Sequence, residues 1–354
     1  MALSSTPPDL KKFVVDEGHG VKGVSELNLK ILPELFIQPV ERRLDMSKVL
    51  QDELIQVIDI SDSEDPQVIK SVCDAAEKLG FFQIVNHGVP LSIIESVKEA
   101  THKFFGLSSK EKKKYLSQNT PSKTIRYLTS FSPEVDKAYE WKDQLSCFYV
   151  SDEETLKFWP SVCKHEALEY LKTCDSVIKK LIKILITGLG IPNLNDTYES
   201  LFMGSKRINL NYYPVCSNPE LSIGVGGHSD ASTLTVLLQD QIGGLYVRKQ
   251  DSDCWIHVPP VKESLTINIG DAFQIMSNGR YKSVEHIVVA NAHENRISVP
   301  IFVNPRPSDV IGPLPEVMNS GEKALYKQVL YSDYVKHFLR KSTDGKGTID
   351  FAMI

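Results

Sequence analysis

From residue 207 onward the chain reads RINLNYY (207–213), TLTVLLQ (233–239), LYVRK (245–249), WIHV (255–258), LTINI (265–269), FQIM (273–276), SVEHIVVA (283–290) and ISVPIFVN (297–304). Each run is short and rich in β-branched or aromatic residues. The gaps hold turn formers: Gly243-Gly244, Pro259-Pro260, Gly270-Asp271, Asn278-Gly279 and the polar stretch 291–295. Eight strands at this density predict a double-sheet jelly roll or barrel, because βαβ units would place a helical period between them.

Working outward, the first 205 residues follow a helical period. Val68, Val72, Ala75, Ala76 and Leu79 recur every three or four positions, as do Ile93, Ile94, Val97, His102 and Phe105. Residues 161–188 predict a longer helix, with Leu168, Leu171, Cys174, Ile178, Leu181, Ile182 and Leu185 on one stripe. Between these helices, 56–60 and 81–85 read as strands that must join a sheet elsewhere, the second ending at Asn86-His87-Gly88. After Pro305 and Pro307, residues 323–341 predict a closing helix with Leu325, Val329, Leu330, Tyr334 and Phe338 inward. The expected fold is mainly β with flanking α. A helical region (1–205) lends edge strands to a jelly-roll core (206–310), and a helix and tail (311–354) complete one integrated unit.

The chain has 354 residues, a net charge of −5 and 42 % hydrophobic residues. That balance argues against nucleic acid or an anionic membrane as the main partner and makes a small molecule the default. Cys73, Cys147, Cys163, Cys174, Cys216 and Cys254 form no C-x-x-C pair and read as buried thiols. The most apolar helical stretch, 177–191, is interrupted by Lys179, Lys180 and Lys183, and no secretory signal is visible, so a cytoplasmic monomer is expected.

Chemistry concentrates in three places. His228-Ser229-Asp230 lies before a strand, where residues two apart share a face; His286 falls in a later strand able to fold back beside them. Two histidines and one carboxylate hold a mononuclear non-haem Fe(II) with open coordination positions, although zinc hydrolases use a similar set. Arg296-Ile297-Ser298 opens the next strand. An arginine and a hydroxyl pointing together into a barrel clamp a carboxylate, which a metal alone would not require. A zinc hydrolase also needs a general base, and no Glu stands in a helical H-E-x-x-H context; Glu285 precedes His286 but would point to the opposite face of a strand. A non-catalytic jelly-roll binding or storage protein is the third class, which metal content would separate.

The order Asn211-Tyr212-Tyr213-Pro214, His228-Ser229-Asp230, His286, Arg296-Ile297-Ser298 resembles the plant 2-oxoglutarate- and Fe(II)-dependent dioxygenases, whose core is a distorted double-stranded β-helix. The segment GFFQIVNHGV (80–89) resembles that family's N-terminal part. The resemblance implies His228, Asp230 and His286 as iron ligands and Arg296 with Ser298 as the clamp for the distal carboxylate of 2-oxoglutarate. It adds Tyr213 and Asn211 as further contacts, O₂ as second co-substrate and ascorbate as reductant. FVV (13–15) with GVKG (20–23), TSFSP (129–133), EWKD (140–143) and LQDQIGGL (238–245) are similar to the feruloyl-CoA and p-coumaroyl-CoA ortho-hydroxylases. That likeness implies ortho-hydroxylation of these thioesters, giving products that lactonise to the coumarins scopoletin and umbelliferone. Other members hydroxylate terpenoids, steroids, alkaloids or flavonoids, the second reading of the pocket. The thioester subgroup often carries a basic residue immediately before H-x-D, where this chain has Gly227.

Three aromatic residues are candidates for the substrate wall: Phe302, six residues after Arg296 on the same strand face, and Tyr127 and Phe131 in a Ser/Thr-rich loop. His87 reads as a structural turn residue, and KEKKK (110–114) as a solvated helix face.

Overall fold

The computed structural model describes residues 9–130, 138–318, 321–341 and 347–354. Eight strands form a large sheet in the order Val57–Asp59, Phe81–Val85, Leu265–Ile269, Leu234–Gln239, Arg296–Asn304, Ser205–Tyr213, Asp143–Tyr149 and Ile125–Thr129. Five shorter strands form the facing sheet: Val49–Leu50, Trp255–His257, Leu245–Arg248, His286–Val288 and Val225–His228. From Ser205 the chain passes back and forth between the two sheets, which is the winding of a double-stranded β-helix. Strands from the first half of the chain extend the large sheet at both ends.

The helices cover the outer face of the large sheet. Lys164–Gly188 buries its stripe from Leu168 to Ile186 and packs on both Pro66–Lys78 and Leu91–Phe105. Each fully buried Leu or Ile contributes about 1.5–3 kcal/mol, so this stripe is a major part of what fixes the helical layer. The main apolar cluster draws on all parts of the chain, from Ile58 to Ala352. Gly80 makes the transition from helix to strand: its φ is +70°, and a Cβ there would lie 1.8 Å from the Lys282 carbonyl oxygen. No described helix is long and apolar enough to cross a membrane. Four of the six cysteines are buried, whereas Cys73 and Cys254 are partly exposed.

A buried carboxylate docks the N-terminal segment. Asp143 accepts hydrogen bonds from the Val21 and Lys22 amides at 2.8 and 2.9 Å and from Thr129 Oγ1 at 2.6 Å. Lys112 Nζ donates to the His19 carbonyl at 3.2 Å and lies 5.5 Å from the Tyr127 ring centroid. The 110–114 run is therefore not wholly solvated: Lys112 is buried while its neighbours in the run are exposed.

Several expectations require correction. Residues 273–276 are not a strand but part of the helix Asp271–Met276, all six residues of which are buried, so neither period is visible in the sequence. The strand Val225–His228 was hidden by its glycines, and Ile125–Thr129 is a strand rather than a loop. The closing helix is shorter, Tyr331–Lys341; Leu325 and Leu330 are exposed, whereas Tyr334 is fully buried.

Candidate active site

His286 and His228 are direct cross-strand partners in the small sheet, which sets their rings 4.2 Å apart. Asp230 follows where the strand ends. Its Oδ1 lies 3.7 Å from His228 Nε2 and 3.9 Å from His286 Nε2. The surrounding hydrogen bonds leave these three atoms free. His228 Nδ1 is 2.8 Å from the Gly226 carbonyl and His286 Nδ1 is 3.2 Å from that of Val284, so each ring donates from Nδ1 and presents a bare Nε2. Asp230 Oδ2 accepts from Thr235 Oγ1 at 2.6 Å and Asn268 Nδ2 at 2.8 Å, which leaves Oδ1 to the histidines. The three form the metal-capable cluster found among the described residues. Burial, then the neighbouring His228, pushes His286 down to about 4. Burial alone would raise the Asp230 carboxyl, but His286, His228 and the two donors hold it below its ordinary value. Two neutral imidazoles and one carboxylate fit a divalent transition metal.

The loop bearing Asp230 is fastened from behind. Asp271 N donates to the Asp230 carbonyl at 2.7 Å, while Asp271 Oδ2 accepts from Ser229 Oγ at 3.1 Å and Tyr334 OH at 2.7 Å. On the other side, Glu140 Oε1 accepts from the Gly226 amide at 2.9 Å, and Lys142 Nζ lies 3.1 Å from Glu140 Oε2. The Gly226 peptide thus joins Glu140 to His228.

Arg296 and Tyr213 are register partners, as are Ser298 and Asn211. The Arg296 guanidinium lies 4.8 Å from the Tyr213 ring centroid and donates from Nη2 to Gln239 Oε1 at 3.2 Å. Its Nε and Nη1 are buried without partners, and the side chain makes no ion pair among the described residues. Asn211 Nδ2 donates to Ser298 Oγ at 3.3 Å, and Asn211 Oδ1 has no partner. A buried cation with unused donors is costly unless an anion joins it, so this cluster fits a carboxylate.

His228, Asp230, His286, Arg296, Ser298, Asn211 and Tyr213 all line one cavity of about 660 Å³ between the sheets. Phe302 lines it too. Tyr127 does not: it sits in the strand Ile125–Thr129, buried against Phe104 and Phe105 on the helical side. Phe131 lies outside the described residues. His87 is structural, since its Nδ1 accepts from the Val89 amide at 3.1 Å while Nε2 donates to the Glu263 carbonyl at the same distance. Glu285 departs from expectation by lining the cavity wall, where Arg248 pairs with it at 2.8 Å. A Cβ on Gly227 would lie 2.3 Å from Glu285 Oε1. The position before His228 lacks a cation, and the nearby Lys142 and Arg248 in the same cavity are paired with Glu140 and Glu285. Sequence reading missed Arg207, Lys142, Thr235, Asn268 and the rim segment containing Arg42 and Arg43. The alternation Arg207, Asn209, Asn211, Tyr213 along one strand was the signal for the first of these.

Residues 205–305 match the 2OG-Fe(II) oxygenase superfamily model, and 55–162 match the model described as non-haem dioxygenase in morphine synthesis N-terminal. The chain belongs to the 2OG-Fe(II) oxygenase superfamily and is an oxidoreductase using Fe(II) and 2-oxoglutarate. Within that class it is 61 % identical to a feruloyl CoA ortho-hydroxylase of Ipomoea batatas over 99 % of both chains. It is 55 % identical to the bi-functional coumaroyl CoA and feruloyl CoA ortho-hydroxylase of Ruta graveolens, covering 98 % of this chain and 95 % of that one. The solved structure of JOX2 in complex with 2OG, Fe and JA superposes with a TM-score of 0.82 at 30 % identity, covering 94 % of this chain and 97 % of that one.

Proposed function

We propose that this protein ortho-hydroxylates hydroxycinnamoyl-CoA thioesters, with feruloyl-CoA and p-coumaroyl-CoA as substrates. The observation that carries the reading is one cavity holding two neutral imidazoles with bare Nε2 atoms and a free Asp230 Oδ1 and, beside them, a buried arginine without an ion-pair partner among the described residues. Full-length likeness to ortho-hydroxylases of these two thioesters supports the substrate class.

In this reading His228 Nε2, His286 Nε2 and Asp230 Oδ1 would hold Fe(II). Arg296 and Ser298 bind the far carboxylate of 2-oxoglutarate, with Asn211 and Tyr213 completing that end. When bound, Fe(II) would supply the redox chemistry by which O₂ converts 2-oxoglutarate to succinate and CO₂ with one of its oxygen atoms and hydroxylates the substrate with the other. The protein's own work is to orient and exclude: Gly226 and Val284 carbonyls fix the imidazole tautomers, Thr235 and Asn268 fix the carboxylate, and apolar walls such as Phe302, Leu237 and Phe81 keep water out. Arg42 and Arg43 line the same cavity and suit a ligand whose outer end carries phosphates, whereas Lys48 and Arg248 there are already paired with Asp253 and Glu285.

The test is turnover with Fe(II), 2-oxoglutarate, O₂ and ascorbate, with succinate and product quantified for feruloyl-CoA, p-coumaroyl-CoA, their free acids, a flavanone and a steroid. Succinate matched by an ortho-hydroxylated thioester is expected. Coupling to a non-CoA substrate alone would remove the thioester reading and keep the superfamily assignment.

A further inference from the structure

Arg207 is a charged group in the cavity that the chemistry above does not use. It sits on the strand Ser205–Tyr213 directly opposite Phe302. Its guanidinium carbon lies 4.3 Å from the Phe302 ring centroid and 5.6 Å from that of Phe148. The Nε is buried without a hydrogen-bond partner, and the side chain makes no ion pair among the described residues. Asn209, two residues along the same cavity face, also has a buried Oδ1 with no partner. Arg207 is half-buried, and its Nε is a donor withdrawn from water with no acceptor, a cost that a ligand's oxygen would offset.

Its place relative to the metal ligands is set by the sheet. Phe302 is also paired, on its other side, with Thr235, the residue that donates to Asp230. Arg207, Phe302 and Thr235 therefore stand side by side on three neighbouring strands, with adjacent strands about 4.8 Å apart. An aromatic ring lying on this row has one edge toward Asp230 and another within reach of the guanidinium. At the mouth of the cavity stand Arg42 and Arg43, on a segment where the Val40–Arg42 turn is exposed to solvent.

We propose that Arg207, stacked on Phe302, is the recognition site for the phenolic end of the substrate, donating hydrogen bonds to the 4-oxygen of the hydroxycinnamoyl ring. The inference rests on the thioester reading above. With the CoA arm leading out past Arg42 and Arg43, the ring enters first, and the carbon to be hydroxylated and the 4-oxygen lie on the same ring. One arginine then both orients the ring and selects acyl groups that carry a 4-hydroxyl.

The test compares feruloyl-CoA, p-coumaroyl-CoA and cinnamoyl-CoA, which lacks the 4-oxygen, in wild type, Arg207→Met and Arg207→Lys. Wild type should favour the two hydroxylated thioesters by about 100-fold or more in kcat/KM, because a site built to bond an oxygen rejects the analogue without it. Arg207→Met should lose about 30- to 100-fold on those two and change less than about 3-fold on cinnamoyl-CoA, with Arg207→Lys between them. The KM for 2-oxoglutarate should not move. Thermal stability of Arg207→Met should equal or exceed wild type, since Met keeps an apolar contact with Phe302 and removes a buried donor that has no acceptor; a merely structural arginine would lower it. The wild-type comparison needs no variant and stands if Arg207→Met fails to fold. Wild type accepting cinnamoyl-CoA as well as feruloyl-CoA, or a variant lowering all three equally, overturns the phenol site and leaves the substrate class intact. Turnover of no thioester overturns both.

Discussion

Replacing Thr235 by valine removes one hydroxyl and almost no volume from the site. Thr235 Oγ1 donates to Asp230 Oδ2 at 2.6 Å from a side chain that is buried. A hydrogen bond to a charged acceptor contributes about 1.5–3 kcal/mol, which converts to roughly 10- to 150-fold in a binding constant. Asn268 still donates to the same oxygen at 2.8 Å, so the carboxylate stays held and the lower end applies. We expect Thr235→Val to weaken Fe(II) binding about 10-fold, and Thr235→Val with Asn268→Leu to weaken it more than about 100-fold, as both supports of one ligand are lost. Anaerobic titration of the metal-free protein with Fe(II) against a fluorescent chelator reads the affinity directly. The KM for 2-oxoglutarate at saturating iron should change little, since Arg296 is untouched. An unchanged Fe(II) affinity in the double variant would refute the role given to the two donors and, with it, the claim that Asp230 Oδ1 is the presented ligand atom.

Arg296→Ala should raise the KM for 2-oxoglutarate about 100-fold or more while sparing much of kcat at saturation, because two unused buried donors wait for that carboxylate; steady-state succinate formation reads this, and an unchanged KM would sink the clamp. Asp143→Asn presents an amide donor where Asp143 accepts from Val21, Lys22 and Thr129, so about 2–4 kcal/mol of stability should go, with faster proteolysis near residues 9–26; urea melts and timed digestion check both. The His87 ring is held neutral, and burial lowers its pKa. Below about pH 6.5 the unfolded ring takes up a proton that the folded ring refuses, so its contribution is present above that pH and lost as the pH falls. His87→Gln should therefore flatten part of the fall in melting temperature between pH 6.5 and 5, measured by calorimetry on wild type and variant.

Local patterns carried much of this protein. The period-two runs after residue 205 correspond to seven of the eight core strands, and the helical stripes of 66–78, 91–105 and 164–188 were plain because each helix buries one face and solvates the other. H-x-D, the later histidine and R-x-S could be read because their spacings are short or their residue types rare on a strand face. Where burial is complete the code fails: Asp271–Met276 is buried on every side and folds as a helix, although its run looks like a strand. Strand register lay beyond the sequence altogether, because pairing joins residues far apart in the chain through backbone groups common to all of them. Only register put His286 beside His228, Tyr213 beside Arg296, and Arg207 between Phe302 and Phe148. It also sent Tyr127 to the helical side of the sheet, away from the cavity its loop-like surroundings had suggested. The sequence by itself determined which donors and cations the protein would own. The tertiary structure decided which of them would meet, because three partners of Asp230, namely His286, Thr235 and Asn268, come from strands that the local pattern could name but not place.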